Sequence, residues 1–140
     1  NPNDLDARGI IMMGASLSTS SRIGIGKEEA YAYDIYELEF LPEKLFGSSY
    51  RRSLTSIFPR FLEAMGKRHA EDVGKYYLDV FGFDSSIEES SRKLVALFSD
   101  FGVDMYYDGI INREQVGCIP CDTELDENEI FEMINGVIRK

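Results

Sequence analysis

Cys118 and Cys121 are the two cysteines of the chain, and they stand as Cys118-Ile119-Pro120-Cys121. Two thiolates at this spacing can both reach one Zn²⁺, at about 2.3 Å each. A closed site needs two further ligands. The one histidine, His69, is distant in sequence, and the adjacent carboxylates are Asp122 and Glu124. A zinc site therefore needs His69, one of these acids, or thiols from a second subunit. The same pair can instead work as a redox couple. That requires a low-pKa thiol, at a helix N-terminus or beside a base, whereas here the pair is followed by acids, which raise a thiol's pKa. A thioredoxin-type context is also missing. Two cysteines with no special role are the third reading.

His69 is the side chain that titrates near neutrality, so it can serve as a general base or a metal ligand. Its plain reading is a hydrogen-bonded structural residue. No G-x-S-x-G elbow supports a serine triad. Ser21-Arg22-Ile23-Gly24-Ile25-Gly26-Lys27 fails as a phosphate loop, because Ser21 replaces the first glycine and Glu28 follows the lysine. Asp122, Glu124, Asp126 and Asn128 imitate the alternation of a calcium loop, but Glu127 and Met133 occupy the positions that need Gly and Glu. These acids fit the positive end of a closing helix better. Arg51, Arg52 and Arg60 form a small basic patch, suited to an acidic partner or a solvated helix face.

Aromatic residues are plentiful, with nine Phe and eight Tyr. Tyr76, Tyr77, Phe98, Phe101 and Tyr106, together with Met65 and His69, are the expected lining of an apolar ligand pocket with phenolic hydroxyls as polar contacts. The plain alternative is a packed aromatic core.

These residues need elements to position them. The chain has 140 residues, enough for one domain with its own core. Its net charge of −10 disfavours a nucleic-acid backbone or an anionic membrane surface as partner. No apolar run reaches the length of a membrane span, and no signal peptide is visible. A cytoplasmic setting is expected from these features. Gly9 to Met13 reads as a strand or hydrophobic arm, and the Ser- and Gly-rich residues 14–27 as a mobile loop. Residues 1–27 are thus expected to form a flexible arm, and residues 28–140 a single domain, truncated if the chain is part of something longer.

Within that domain, Tyr36, Leu38 and Phe40 alternate with Glu37 and Glu39, which is strand periodicity. Pro42 suits the first turn of a short helix through Phe46. Ser48 or Ser49 can cap a helix carrying Leu54, Ile57 and Phe58 inward, and Pro59 marks a kink or restart. Apolar residues from Phe61 through Met65, His69, Val73 and Tyr77 to Phe81 recur at helical steps, and Gly82 ends that helix. Ser86 to Glu89 opens another with a capping box. Asp108-Gly109 between two β-rich runs predicts a hairpin, and a last acidic helix buries Leu125, Ile130, Phe131, Ile134, Val137 and Ile138. The expected fold class is therefore α+β, with helices packed on a small antiparallel sheet.

From about residue 40 onward the chain resembles the 4-vinyl reductase domain family, a relative of certain small subunits of the TRAPP trafficking complex. The likeness rests on the helix near Ser53–Met65, the stretch Met65-Gly66-Lys67-Arg68-His69-Ala70, the helix from Ser86 to Phe101, the cysteine-containing segment Val116–Cys121, and the closing helix with Gly136 near its centre. The family's final strand region, with further cysteines, is missing. The resemblance implies an α+β fold and a ligand-binding or sensory module. The resulting expectation is a regulatory domain, more a binding module than an enzyme, that takes a small hydrophobic molecule and dimerises with a copy of itself. Cys118 and Cys121 would be metal ligands or redox-responsive thiols. The alternatives are an adaptor that dimerises through its helices and a small enzyme using His69.

Overall fold

A computed structural model describes residues 3–18 and 34–139. The chain divides into two units, Asn1–Tyr31 and Ala32–Lys140. In the first, α1 spans Leu5–Ser18. The Asp4 side chain starts it by accepting a hydrogen bond from the Ala7 amide at 2.9 Å, as a capping carboxylate does. The run Gly9–Met13, expected as a strand or arm, lies inside this helix. Residues 14–18, expected as the start of a mobile loop, are helical too, and residues 19–27 of that loop fall outside the described part.

The second unit contains α2 (Asp34–Leu38), α3 (Phe40–Phe46), α4 (Tyr50–Met65), α5 (Ala70–Phe81), α6 (Ile87–Asp100), α7 (Arg113–Gly117) and α8 (Glu127–Asn135). Helix α4 is the hub: it packs most extensively on α6 and also meets α2, α3, α5 and α8. Leu38, Leu41, Ile57, Met65, Leu94 and Ile134 are fully buried around it. Each such side chain contributes roughly 1.5–3 kcal/mol of transfer free energy.

Among the described residues there is no β-strand and no sheet, so the expected α+β fold is corrected to a helical one. The fold implied by the family resemblance is corrected with it. The alternation at 36–40 belongs to α2 and α3, where a helical face decides burial: Ile35, Leu38, Glu39, Leu41 and Pro42 turn inward, and Tyr36, Glu37 and Phe40 turn out. The expected hairpin is also absent. Gly109 has φ 148°, but Asp108 does not have the positive φ of a type I′ turn. Beyond it the chain enters α7 through a capping box between Asn112 and Gln115. Tyr107 instead forms an isolated parallel bridge with Ile138: its amide donates to the Val137 carbonyl at 2.8 Å, and the Arg139 amide donates to its carbonyl at 2.9 Å.

The long amphipathic helix expected from Phe61 to Phe81 is two helices, broken at Gly66–His69. Gly66 lies so close to α6 that a Cβ there would stand 2.7 Å from Ile87 Cδ1. Pro59 does not restart α4, which runs through it. Other expectations hold: Pro42 lies early in a helix ending at Phe46, Gly82 closes α5 with φ 69°, and the Ser86 hydroxyl accepts from the Glu89 amide at 3.2 Å. Ser49 stands at the N-cap of α4 without a side-chain capping bond.

Candidate functional site

Helices α2, α4 and α6 flank an open groove of about 280 Å³ lined by Ile35, Tyr36, Leu54, Thr55, Phe58 and Phe98. Leu54 and Phe58 are one turn apart on α4, so they form one face of that helix. Phe98 faces them from α6, and Ile35 and Tyr36 close the α2 side. The lining holds three aromatic rings and no charged side chain. Phe58 also meets Tyr76 of α5 edge-on, with ring centroids 6.2 Å apart, so aromatic contact continues from the groove to α5.

Thr55 and Tyr36 are the lining residues that carry a hydroxyl. The Thr55 hydroxyl donates to the Arg51 carbonyl at 2.7 Å, which leaves its oxygen lone pairs as acceptors. The Thr55 carbonyl lacks the usual donor four residues on, because that residue is Pro59 and has no N–H.

Of the seven residues expected to line a ligand pocket, Phe98 lines this groove. Met65 and Tyr77 are packed in the core. Burial pushes the Tyr77 phenol up to about 12. Its buried hydroxyl makes no full hydrogen bond; the nearby Ser91 hydroxyl, which donates to the Pro59 carbonyl at 2.9 Å, acts against the shift. Tyr76 is partly exposed and touches the groove only through Phe58. Phe101 is 75% exposed at the end of α6. Tyr106 offers its backbone carbonyl to Arg52 at 2.6 Å.

The buried ring of that pair is Tyr107. It stacks on Phe46 at 4.6 Å and lies under the Arg52 guanidinium at 4.4 Å. Its hydroxyl meets Ser48 Oγ at 2.9 Å and Ser56 Oγ at 3.0 Å.

His69 is the N-cap residue of α5, and its Nε2 lies 3.0 Å from Glu124 Oε1. Beside it, Arg68 grips Glu129 of α8 with both terminal nitrogens, at 2.9 and 2.5 Å. That grip, foremost its hydrogen bonds, holds the Glu129 carboxyl below the usual range. The arrangement ties the α4–α5 junction to the acidic segment before α8.

Cys118 is exposed at the C-cap of α7. Cys121 is half-buried, and its thiol donates to the carbonyls of Glu37 at 3.8 Å and Ile119 at 3.7 Å. Burial, and then the Glu37 carboxylate, push this thiol up. Among the described residues no group of three or more His, Cys, Asp and Glu is placed to hold a metal ion. No helix among them is long and apolar enough to cross a membrane.

Ile35, Tyr36, Leu54, Thr55 and Phe58 escaped the sequence reading as site residues. Leu54 and Phe58 carried a signal in their one-turn spacing, but that spacing equally marks a core face. The groove itself depends on how α2 and α6 flank α4, which local periodicity does not encode. No family model matches the chain, and neither a curated protein nor a solved structure matches it.

Proposed function

We propose that the Ala32–Lys140 unit is a binding module for a small, uncharged, largely apolar molecule, held in the groove between α2, α4 and α6. The observation that carries this reading is the groove's lining: aromatic and aliphatic walls without a charged side chain, and the hydroxyl-bearing residues Thr55 and Tyr36.

A neutral fluorescent probe with one N–H donor, N-phenyl-1-naphthylamine, tests it. Saturable enhancement is expected with the native chain. Tyr36→Ala and Phe98→Ala should each weaken binding about tenfold, the equivalent of about 1.4 kcal/mol. Phe101→Ala, on an exposed ring outside the groove, should leave binding unchanged. Absence of saturable binding, or equal affinity in all three variants, overturns the reading. Circular dichroism of each variant separates lost binding from lost fold.

A second reading, an adaptor that pairs with a copy of itself, is favoured by α1. Its Leu5, Ile10, Ile11, Met12, Met13 and Leu17 are 51% to 76% exposed, an unusual amount of apolar surface on one helix. Sedimentation of the native chain against Ile10→Asp/Met13→Asp tests this. A dimer that becomes monomeric supports the adaptor, and identical monomeric behaviour removes it.

A further inference from the structure

Glu39 is the one residue between α2 and α3, and it is 3% exposed. Its Oε2 is buried with no hydrogen-bond partner. Among the described residues no lysine, arginine or histidine forms an ion pair with it. A buried carboxylate without a cation or a full set of donors is costly, and such a group responds by keeping its proton. The surroundings push the same way: desolvation comes first, then the Glu43 carboxylate on α3, and both raise the Glu39 carboxyl above the usual range. On the α4 side the facing titratable group is the Tyr50 phenol, which Glu39 and, more weakly, Tyr36 and Glu43 push up in turn. On α2, Glu37 lies towards the Cys121 thiol. Every titratable group named here is an acid, so none of them rewards ionisation of Glu39.

This position matters because of what α2 does. It is a five-residue helix, too short to persist without its packing. It supplies Ile35 and Tyr36 to the groove, and Ile35 also accepts the Glu39 amide through its carbonyl at 3.0 Å. An ionised Glu39 brings its buried Oε2 to water by turning out of the α2–α3 junction, and that turn pulls on both residues.

We infer that Glu39 is a proton-operated latch: protonated, it seats α2 against α3 and α4 and completes the groove; ionised, it frees α2 and opens the groove wall. The part concerning the groove rests on the binding role proposed above. The sign follows from linkage. The folded carboxyl holds its proton more tightly than the unfolded one, so the unfolded or opened state ionises first as pH rises. The stability of α2 is therefore full at low pH and is lost as pH rises through the folded titration. The opening constant should grow about tenfold for each pH unit by which the folded carboxyl titrates above its ordinary value.

Hydrogen exchange of the Leu38 and Glu39 amides, corrected for intrinsic rates, reads the latch without any ligand. In the native chain their protection should fall between pH 4 and pH 8, while amides in α6 keep theirs. In Glu39→Gln, which keeps the shape but carries no charge, protection should stay at the low-pH level throughout. A carbon-13 titration of the native Glu39 carboxyl gives an independent check that needs no variant: its midpoint should lie above the usual glutamate range. Binding of N-phenyl-1-naphthylamine should weaken with rising pH in the native chain and stay flat in Glu39→Gln.

An ordinary Glu39 midpoint, or the same pH dependence of α2 protection in Glu39→Gln, overturns the latch. Failure of the probe to bind at any pH, with the exchange pattern as expected, removes the groove reading and leaves Glu39 as a local stability switch.

Discussion

Tyr107→Phe removes one oxygen from the best-defined polar contact in the core. The hydroxyl joins Ser48 at 2.9 Å and Ser56 at 3.0 Å, and Ser56 is 1% exposed. Two hydrogen bonds of about 1 kcal/mol each set an upper figure of about 2 kcal/mol. Ser56 keeps a second partner, the Ser53 carbonyl at 3.0 Å, and half-buried Ser48 can regain water. The expected loss is therefore about 1.5 kcal/mol, or roughly 6 °C in Tm for a unit of this size. The ring itself stays, so the stack on Phe46 and the contact with Arg52 are untouched. Tyr107→Leu loses those as well and should cost about 3 kcal/mol or more. Urea unfolding followed by circular dichroism supplies the free energies. Ser56→Ala should cost less in the Tyr107→Phe background than in the native chain, because the bond is already gone. A Tyr107→Phe loss below about 0.3 kcal/mol, or strict additivity of the two substitutions, refutes the reasoning.

Two further outcomes follow from the charged and phenolic groups. The Tyr77 phenol, pushed up to about 12 by burial, favours the folded state only while protonated; stability should fall as pH rises from about 10 to about 12, by up to about 2 kcal/mol, and Tyr77→Phe should abolish that fall while being neutral or stabilising at pH 7. Arg68→Ala should destabilise the chain at pH 7 by releasing Glu129, and the gap from the native chain should close as pH drops through the lowered Glu129 titration; urea unfolding series stepped down through the acid range compare the two, and a gap that never narrows contradicts the assigned ion pair.

Local chemistry was the legible part of this chain. Ser86 and Gly82 announce helix boundaries through side-chain and backbone geometry that needs no distant partner, and both act as their residue types require. Tertiary contacts overrode the rest. A carboxylate at position 39 reads as solvent-facing, which makes residues 36–40 look like an alternating strand; its burial belongs to the helical pattern that the structure shows. Asp108-Gly109 reads as a hairpin tip, yet Tyr107 is claimed by Ser48, Ser56 and Ile138, each more than 30 residues away or across the unit. Apolar spacing runs unbroken from Phe61 to Phe81, and only the close approach of Ile87 to Gly66 reveals where the helix must turn. The groove was legible in one residue, Phe98, because the way α2 and α6 flank α4 is a property of packing.

The segment after Tyr107 offers a way to divide the molecule. Ile110 is 94% exposed, Asp108 and Gly109 are exposed, and firm contacts resume at the Asn112 cap. On the far side lie α7, α8 and the partner of the Tyr107 bridge, and α8 packs on α4 and grips Arg68. A chain cut here by a protease leaves two pieces with a large complementary surface between them. Expressed separately, residues 1–109 and 110–140 would form a split pair whose reassembly reports on the core, and a foreign sequence inserted at the same point would leave both anchors in place.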